Sequence, residues 1–77
     1  MNDAQRCRRN GWKVGDVLQD PDGRRIRLTA IGEECVLAVQ ICESREWEGE
    51  LEWALDQARW RRIGRWNKRT RKVQVKP

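Results

Sequence analysis

A basic segment near the C terminus contains the residues best suited to bind a ligand. Residues 58–77 include nine Lys and Arg residues and no acid. Guanidinium and ammonium groups bind phosphate oxygens, and an exposed indole can stack on an unpaired base. The segment predicts a nucleic-acid-binding surface made of Arg59, Arg61, Arg62, Arg65, Trp66, Lys68, Arg69, Arg71 and Lys72. Two interpretations remain open beside it: a solubilising tail that complements an acidic body, and a surface that binds an acidic protein.

A second candidate surface is acidic. Six acidic residues fall between positions 43 and 56. Such a stretch can imitate nucleic acid or bind a basic partner, and tryptophan is enriched at interface hot spots. We therefore predict a protein-binding surface at Glu46, Trp47 and Glu48. The alternative is a solvated acidic face, satisfied in part by arginines of the tail.

The sequence predicts neither an enzyme nor a metal centre. It has no histidine, the commonest general base and metal ligand near neutral pH. Cys7, Cys35 and Cys42 show no Cys-x-x-Cys spacing, so a four-ligand zinc site cannot be assembled within one chain. No nucleophile with its base is discernible, and a 77-residue chain is too short for a sugar-sized cleft. We expect no catalytic residue and no cofactor.

The net charge is +5, and the charged residues fall into three blocks along the chain. Residues 1–15 carry four basic residues and one acid, and residues 16–57 carry four basic residues and eleven acids. Residues 58–77 carry nine basic residues and no acid. The body is therefore acidic and both ends are basic. The longest uncharged stretch, residues 35–42, is far shorter than the roughly 18 residues of a membrane helix. The odd cysteine count and the lack of an apolar leader predict a reducing cytoplasm, with the thiols buried as small apolar groups.

Alternation and turn signals predict a small, mostly β protein. Residues 20–23, Asp-Pro-Asp-Gly, form a strong hairpin signal because proline presets φ and glycine accepts a positive φ. After this turn the apolar residues alternate cleanly, and residues 35–41 are apolar on both faces, as in a central strand. We predict strands at 13–19, 25–30, 35–41, 50–53 and 59–63, with one helical turn at 55–58. A helix within residues 50–62 stays open, because several apolar residues there also follow helical spacing.

Tryptophan is the only aromatic residue type in the chain. Trp53 and Trp60 lie on predicted strands, so we predict that they pack in the core. Trp47 and Trp66 lie in a predicted loop and in the basic segment, where partner contact and local packing both stay open.

Five short strands with a helical turn before the last one resemble the SH3-like small barrels, the class that includes Tudor and KOW modules. This architectural resemblance covers residues 12–63. In sequence, residues 12–17 (Trp-Lys-Val-Gly-Asp-Val) resemble small uncharacterised proteins of bacteriophages and prophages, as do residues 22–23, 28–33, 36–38 and 60–61. The resemblance implies a phage accessory role, and many phage proteins of this size bind a host or defence protein.

The chain is thus expected to consist of a basic N-terminal arm at 1–11, a five-stranded SH3-like barrel at 12–64 and a mobile basic tail at 65–77. The function predicted from this layout is non-enzymatic binding of nucleic acid or a nucleoprotein complex through the basic segment. The alternative function is an anti-CRISPR-like inhibitor of a host defence or transcription machine, which would act through the acidic loop and exposed tryptophans.

Overall fold

A computed structural model describes residues 1–42, 45–46 and 49–75. This part of the chain contains one helix and seven strands: α1 (Asp3–Asn10), β1 (Asp16–Gln19), β2 (Arg25–Ile31), β3 (Val36–Cys42), β4 (Arg45–Glu46), β5 (Leu51–Glu52), β6 (Arg61–Asn67) and β7 (Lys72–Gln74). The molecule is therefore mostly β, as predicted. No helix among the described residues is long and apolar enough to cross a membrane.

The strands form one antiparallel sheet in the order β4-β3-β2-β1-β6-β7. The first three strands follow one another as a meander, and β6 returns to pair with β1. β4 and β5 lie on the same side of β3, β4 opposite Ile41 and Cys42 and β5 opposite Leu37 and Ala38. The pairing described leaves the sheet open, with β4 and β5 at one edge and β7 at the other.

Alternation along β1, β2 and β3 builds the core, because every second side chain of a strand points to the same face. The buried cluster consists of Cys7, Leu18, Ile26, Leu28, Val36, Ala38 and Leu55, with Trp12, Ile31, Trp53 and Trp60 packed against it. Val39 and Ile41 on the opposite face of β3 are buried as well. The prediction of a central strand covered on both faces is therefore confirmed.

The sequence prediction of a basic N-terminal arm at 1–11 contained no helix, whereas the structure has α1 in this segment. The side chain of Asn2 accepts a hydrogen bond from the Gln5 amide and the Gln5 side chain accepts one from Asn2, which together form a capping box. Ala4 and Cys7 are buried. The Arg8 guanidinium donates to the carbonyls of Gly32 and Glu33, so the helix is fixed to the turn between β2 and β3.

The alternative helix within residues 50–62 is wrong, whereas the turn predicted at 55–58 is found in part, at Leu55 and Asp56. Residues 53–60 form an irregular connection without helix or strand, in which bends at Gln57 and Ala58 follow the turn. The Trp53 amide donates to the Val36 carbonyl and the Leu55 amide to the Asp3 carboxylate, so the connection is held to β3 and to α1. Strand β6 accordingly begins at Arg61 rather than at residue 59.

The C-terminal segment also differs from the sequence prediction, which was a mobile tail at 65–77. β6 continues through Gly64 to Asn67, and β7 pairs back onto it with Trp66 opposite Val73. Gly64 is buried, and a Cβ atom there would collide with the backbone carbonyl of Gln74. Glycine at this position therefore allows the end of β7 to lie against β6.

The three cysteines differ in environment. Cys7 is buried, whereas Cys35 and Cys42 are exposed, so the expectation that all three thiols are core groups holds for Cys7 alone. Burial raises the pKa of the Cys7 thiol from 9.0 to about 11, and the nearby Asp3 carboxylate adds to this shift. The thiolate is the nucleophile of cysteine, so Cys7 is expected to be unreactive in the folded protein.

We expect the aryl disulfide dithiobis(nitrobenzoate) to label Cys35 and Cys42 quickly in the native protein and Cys7 only after unfolding in guanidinium chloride. The pKa shift by itself lowers the thiolate fraction of Cys7 about 100-fold, and burial slows attack further. The Cys7→Ala variant is the control and should retain the two fast thiols. Three thiols of equal reactivity in the native protein would contradict the position of α1.

Candidate nucleic-acid interface

The β6–β7 hairpin presents the basic residues that the sequence singled out. Its last paired residues are Asn67 and Lys72, so residues 68–71 form the turn. The Asn67 side-chain oxygen accepts hydrogen bonds from the amides of Arg69 at 2.9 Å and Thr70 at 3.4 Å, and the Asn67 carbonyl accepts one from the Arg71 amide at 2.8 Å. Asn67 therefore fixes the turn from both its backbone and its side chain.

Arg71 closes this turn in the left-handed region of backbone conformation, with φ of 53°. A residue other than glycine is disfavoured there by about 1–2 kcal/mol. The hydrogen bonds from Asn67 hold this conformation, so the turn has a defined shape in the free protein.

Four exposed cations of this turn and its flank form the basic tip: Lys68, Arg69, Arg71 and Lys72. Within the described part of the chain, no carboxylate forms an ion pair with any of them. Four positive charges are thus available to an external anion.

Arg62 and Arg65 are used differently, because both contact the Asp16 carboxylate. Nε of Arg62 lies 3.2 Å from Oδ2 of Asp16, and Nη1 of Arg65 lies 3.7 Å from Oδ1. The Asp16 side chain is only 3 % exposed, and its Oδ2 also accepts a hydrogen bond from the Lys13 amide. Arg65 donates in addition to the Val14 carbonyl. The two guanidinium groups are thereby fixed at the junction of β1 and β6.

The remaining residues of the predicted set are dispersed. Arg61 is exposed at the start of β6 opposite Gln19, and Arg59 is exposed in the preceding connection. Trp66 is half-buried opposite Val73, so it is not a free stacking platform. The structure thus brings Lys68, Arg69, Arg71 and Lys72 together and separates Arg59 and Arg61 from them.

Trp53 and Trp60 pack against the core, as predicted. Their rings form an edge-to-face pair with centroids 5.9 Å apart and an interplanar angle of 85°. Both indole nitrogens are buried without a hydrogen-bond acceptor in the described structure. An edge-to-face pair can direct one ring edge at the π face of the other, which compensates such a donor in part.

An open cavity of about 490 Å³ lies beside this pair, between α1 and the connection that precedes β6. Its polar lining consists of guanidinium, carboxylate and amide groups, namely Arg6, Asn10, Asp56, Gln57 and Arg59, with Trp12 and Trp60 as its aromatic members. Among the described residues that line it, no nucleophile is paired with a base. Among the described residues, no group of three His, Cys, Asp or Glu side chains could hold a metal ion.

The predicted protein-binding surface falls largely outside the described residues. Trp47 and Glu48 are not described, and Glu46 is described only as part of strand β4. This surface therefore stays a prediction.

Sequence reasoning missed two residues on which the interface depends, Asp16 and Asn67. Asp16 is two residues before Leu18 on the predicted strand at 13–19, and an acid in line with a core residue is a signal of burial and pairing. Asn67, followed by a run of polar residues, is a turn signal of ordinary type. The signal at Asp16 does not name its partners, because Arg62 and Arg65 come from a strand about 50 positions away in the chain.

The family model that matches this chain covers residues 1–65 and is described as a domain of unknown function (DUF7241). No match was found among curated proteins or among solved structures. The matched range includes the sheet up to Arg65 and ends where the hairpin begins to extend beyond β1.

The Asp16→Asn variant should lose about 1–3 kcal/mol of unfolding free energy. Removing the buried carboxylate leaves two guanidinium groups without their counter-charge, and their partial exposure keeps the loss below that of a fully buried pair. Urea unfolding followed by tryptophan fluorescence measures the effect. The exposed Asp22→Asn is the matched control, with the same change in charge and no expected loss. Equal stability of the two variants would show that the Asp16 contacts do not hold β6 to β1.

Proposed function

We propose that this chain, which belongs to the DUF7241 family of domains of unknown function, is a non-enzymatic module that binds nucleic acid through the basic tip. The observation that carries the proposal is the combination of four exposed cations, no carboxylate paired with them among the described residues, and a turn fixed by Asn67. Such a cluster can bind the regularly spaced phosphate groups of a nucleic-acid backbone.

The charge pattern has an energetic consequence. Two like charges about 8 Å apart repel by about 0.5 kcal/mol in water, so a cluster of four is under modest strain in the free protein. Binding to phosphates relieves this repulsion and releases counterions, which gives a favourable entropy at low salt. A tail that served only solubility would not need a turn of defined geometry.

The proposal extends to the fold type. A meander whose last strand, β6, returns to β1 is what the SH3-like resemblance implies, provided that β4 and β5 count as one interrupted strand on β3. We therefore propose an SH3-like topology with an added helix and an added C-terminal strand. In this arrangement the compact body serves as a rigid base for the hairpin.

The biological setting is proposed from the sequence resemblance described above. A phage accessory protein that acts in the host cytoplasm on nucleic acid or a nucleoprotein complex fits a small basic module of this kind. The inhibitor alternative depends on Trp47 and its neighbours, and no described contact favours it.

A matched pair of double variants tests the proposal. Lys68→Gln with Arg69→Gln removes two charges from the basic tip, whereas Arg9→Gln with Lys13→Gln removes two exposed charges from the N-terminal region. We expect the tip variant to lose at least about 10-fold in affinity for a labelled oligonucleotide and to lower the slope of log K against log salt by about two units. Fluorescence anisotropy between about 50 and 200 mM salt provides both quantities.

The control variant has the same net charge as the tip variant, so it separates a local interface from a general effect of charge. It should keep the slope of the unmodified protein. Equal losses in the two variants would overturn the assignment of the tip, and absence of binding by the unmodified protein at low salt would overturn the function.

A further inference from the structure

We infer that the ligand of the basic tip is duplex DNA, with the β6–β7 turn inserted in the major groove. This inference rests on the proposed function and narrows it to one class of nucleic acid. Three features of the hairpin carry it: its dimensions, its side chains and the fixed shape of its turn.

The dimensions of the hairpin suit a B-form major groove. Trp66 still contacts the body, because its amide donates to the Gly15 carbonyl, and β7 packs mainly on β6. The part that extends beyond the body is therefore the Asn67–Lys72 pair with the turn at 68–71. This pair adds about 3.4 Å, the rise of one strand residue, and the four-residue turn adds to this length. A major groove about 8.5 Å deep and 12 Å wide admits a two-stranded ribbon.

The side chains of the hairpin end also favour a duplex over a single strand. Residues 67–72 contain Asn, Thr, Lys and Arg and no aromatic residue. Arg and Lys bind the guanine acceptors of the major groove and the phosphates beside it, whereas proteins that bind single strands stack successive bases on aromatic rings. Trp66 is half-buried and cannot serve as such a ring without leaving its place opposite Val73.

Duplex RNA fits this tip poorly. The major groove of an A-form helix is deep and narrow, and protein side chains cannot read it. A ribbon with four long basic side chains would therefore reach only the outer phosphates of RNA, with fewer contacts.

The fixed turn adds to affinity because less conformational entropy is lost on binding. Asn67 already holds the amides of Arg69 and Thr70 in place before any ligand arrives. The backbone that carries the four cations is therefore already ordered in the free protein.

The first experiment compares ligands of the same base sequence with the unmodified protein at one salt concentration. Competition anisotropy should show duplex DNA binding at least about 10-fold more tightly than single-stranded DNA and than duplex RNA. Equal or tighter binding of either competitor would overturn the groove inference and leave the proposed function standing. Failure of all three ligands to bind would overturn both.

The second experiment locates the groove by dimethyl sulfate, which methylates guanine N7 in the major groove and adenine N3 in the minor groove. At saturating protein, we expect N7 methylation to fall while N3 methylation stays unchanged. Protection of N3 with unprotected N7 would place the tip in the minor groove and overturn the inference.

A third measurement tests the fixed turn with variants that keep every charge. Asn67→Ala should weaken binding to duplex DNA by about 3- to 10-fold and leave the salt slope unchanged, because the same cations remain on a looser turn. Asn10→Ala on α1 is the matched control and should bind like the unmodified protein. An unchanged affinity of a folded Asn67→Ala variant would show that the shape of the turn does not contribute.

Discussion

The buried carboxylate of Asp16 is the interaction on which the placement of the hairpin depends. It holds Arg62 and Arg65, both from β6, at the start of β1, where it also accepts the Lys13 amide. A carboxylate that is almost fully removed from water is stable only when charged partners and hydrogen bonds compensate its lost hydration. The closing strand β6 is thereby anchored to the opening strand β1, and the hairpin extends from that anchor in a defined direction.

This anchoring divides the basic residues into two groups with different tasks. Arg62 and Arg65 stabilise the body, with side chains 33 % and 44 % exposed, while Lys68, Arg69, Arg71 and Lys72 stay available for a ligand. The family match ends at residue 65, so the proposed interface lies just beyond the matched range. The binding proposal therefore concerns the end of the hairpin, whereas the family match covers the body to which the hairpin is attached.

The strands with regular alternation could be predicted from the sequence, and the elements at the two ends could not. β2 and β3 follow from the alternation around Ile26 and from the doubly apolar run around Ala38, because burial imposes both patterns. α1 has only Ala4 and Cys7 to bury among its eight residues, so its composition is that of a disordered arm. Its capping residues, Asn2 and Gln5, are a signal of a helix start. This signal is weaker than the low apolar content of the segment, which predicts no helix.

The hairpin was missed for a related reason. β7 is only three residues long, and its turn contains Arg71 at a left-handed position where glycine or asparagine would have been the recognisable signal. The basic residues of the candidate site could be found from charge alone. Their division into structural and available cations could not, because it depends on the long-range contact of β6 with Asp16.

The most direct measurement is the ¹H–¹⁵N spectrum of the uniformly labelled protein during titration with duplex DNA. We expect the largest amide shifts at Asn67 to Lys72 and only small shifts for the residues of α1 and of the cavity. Shifts concentrated on α1 or on the cavity around Trp12 and Trp60, with the hairpin unaffected, would contradict it.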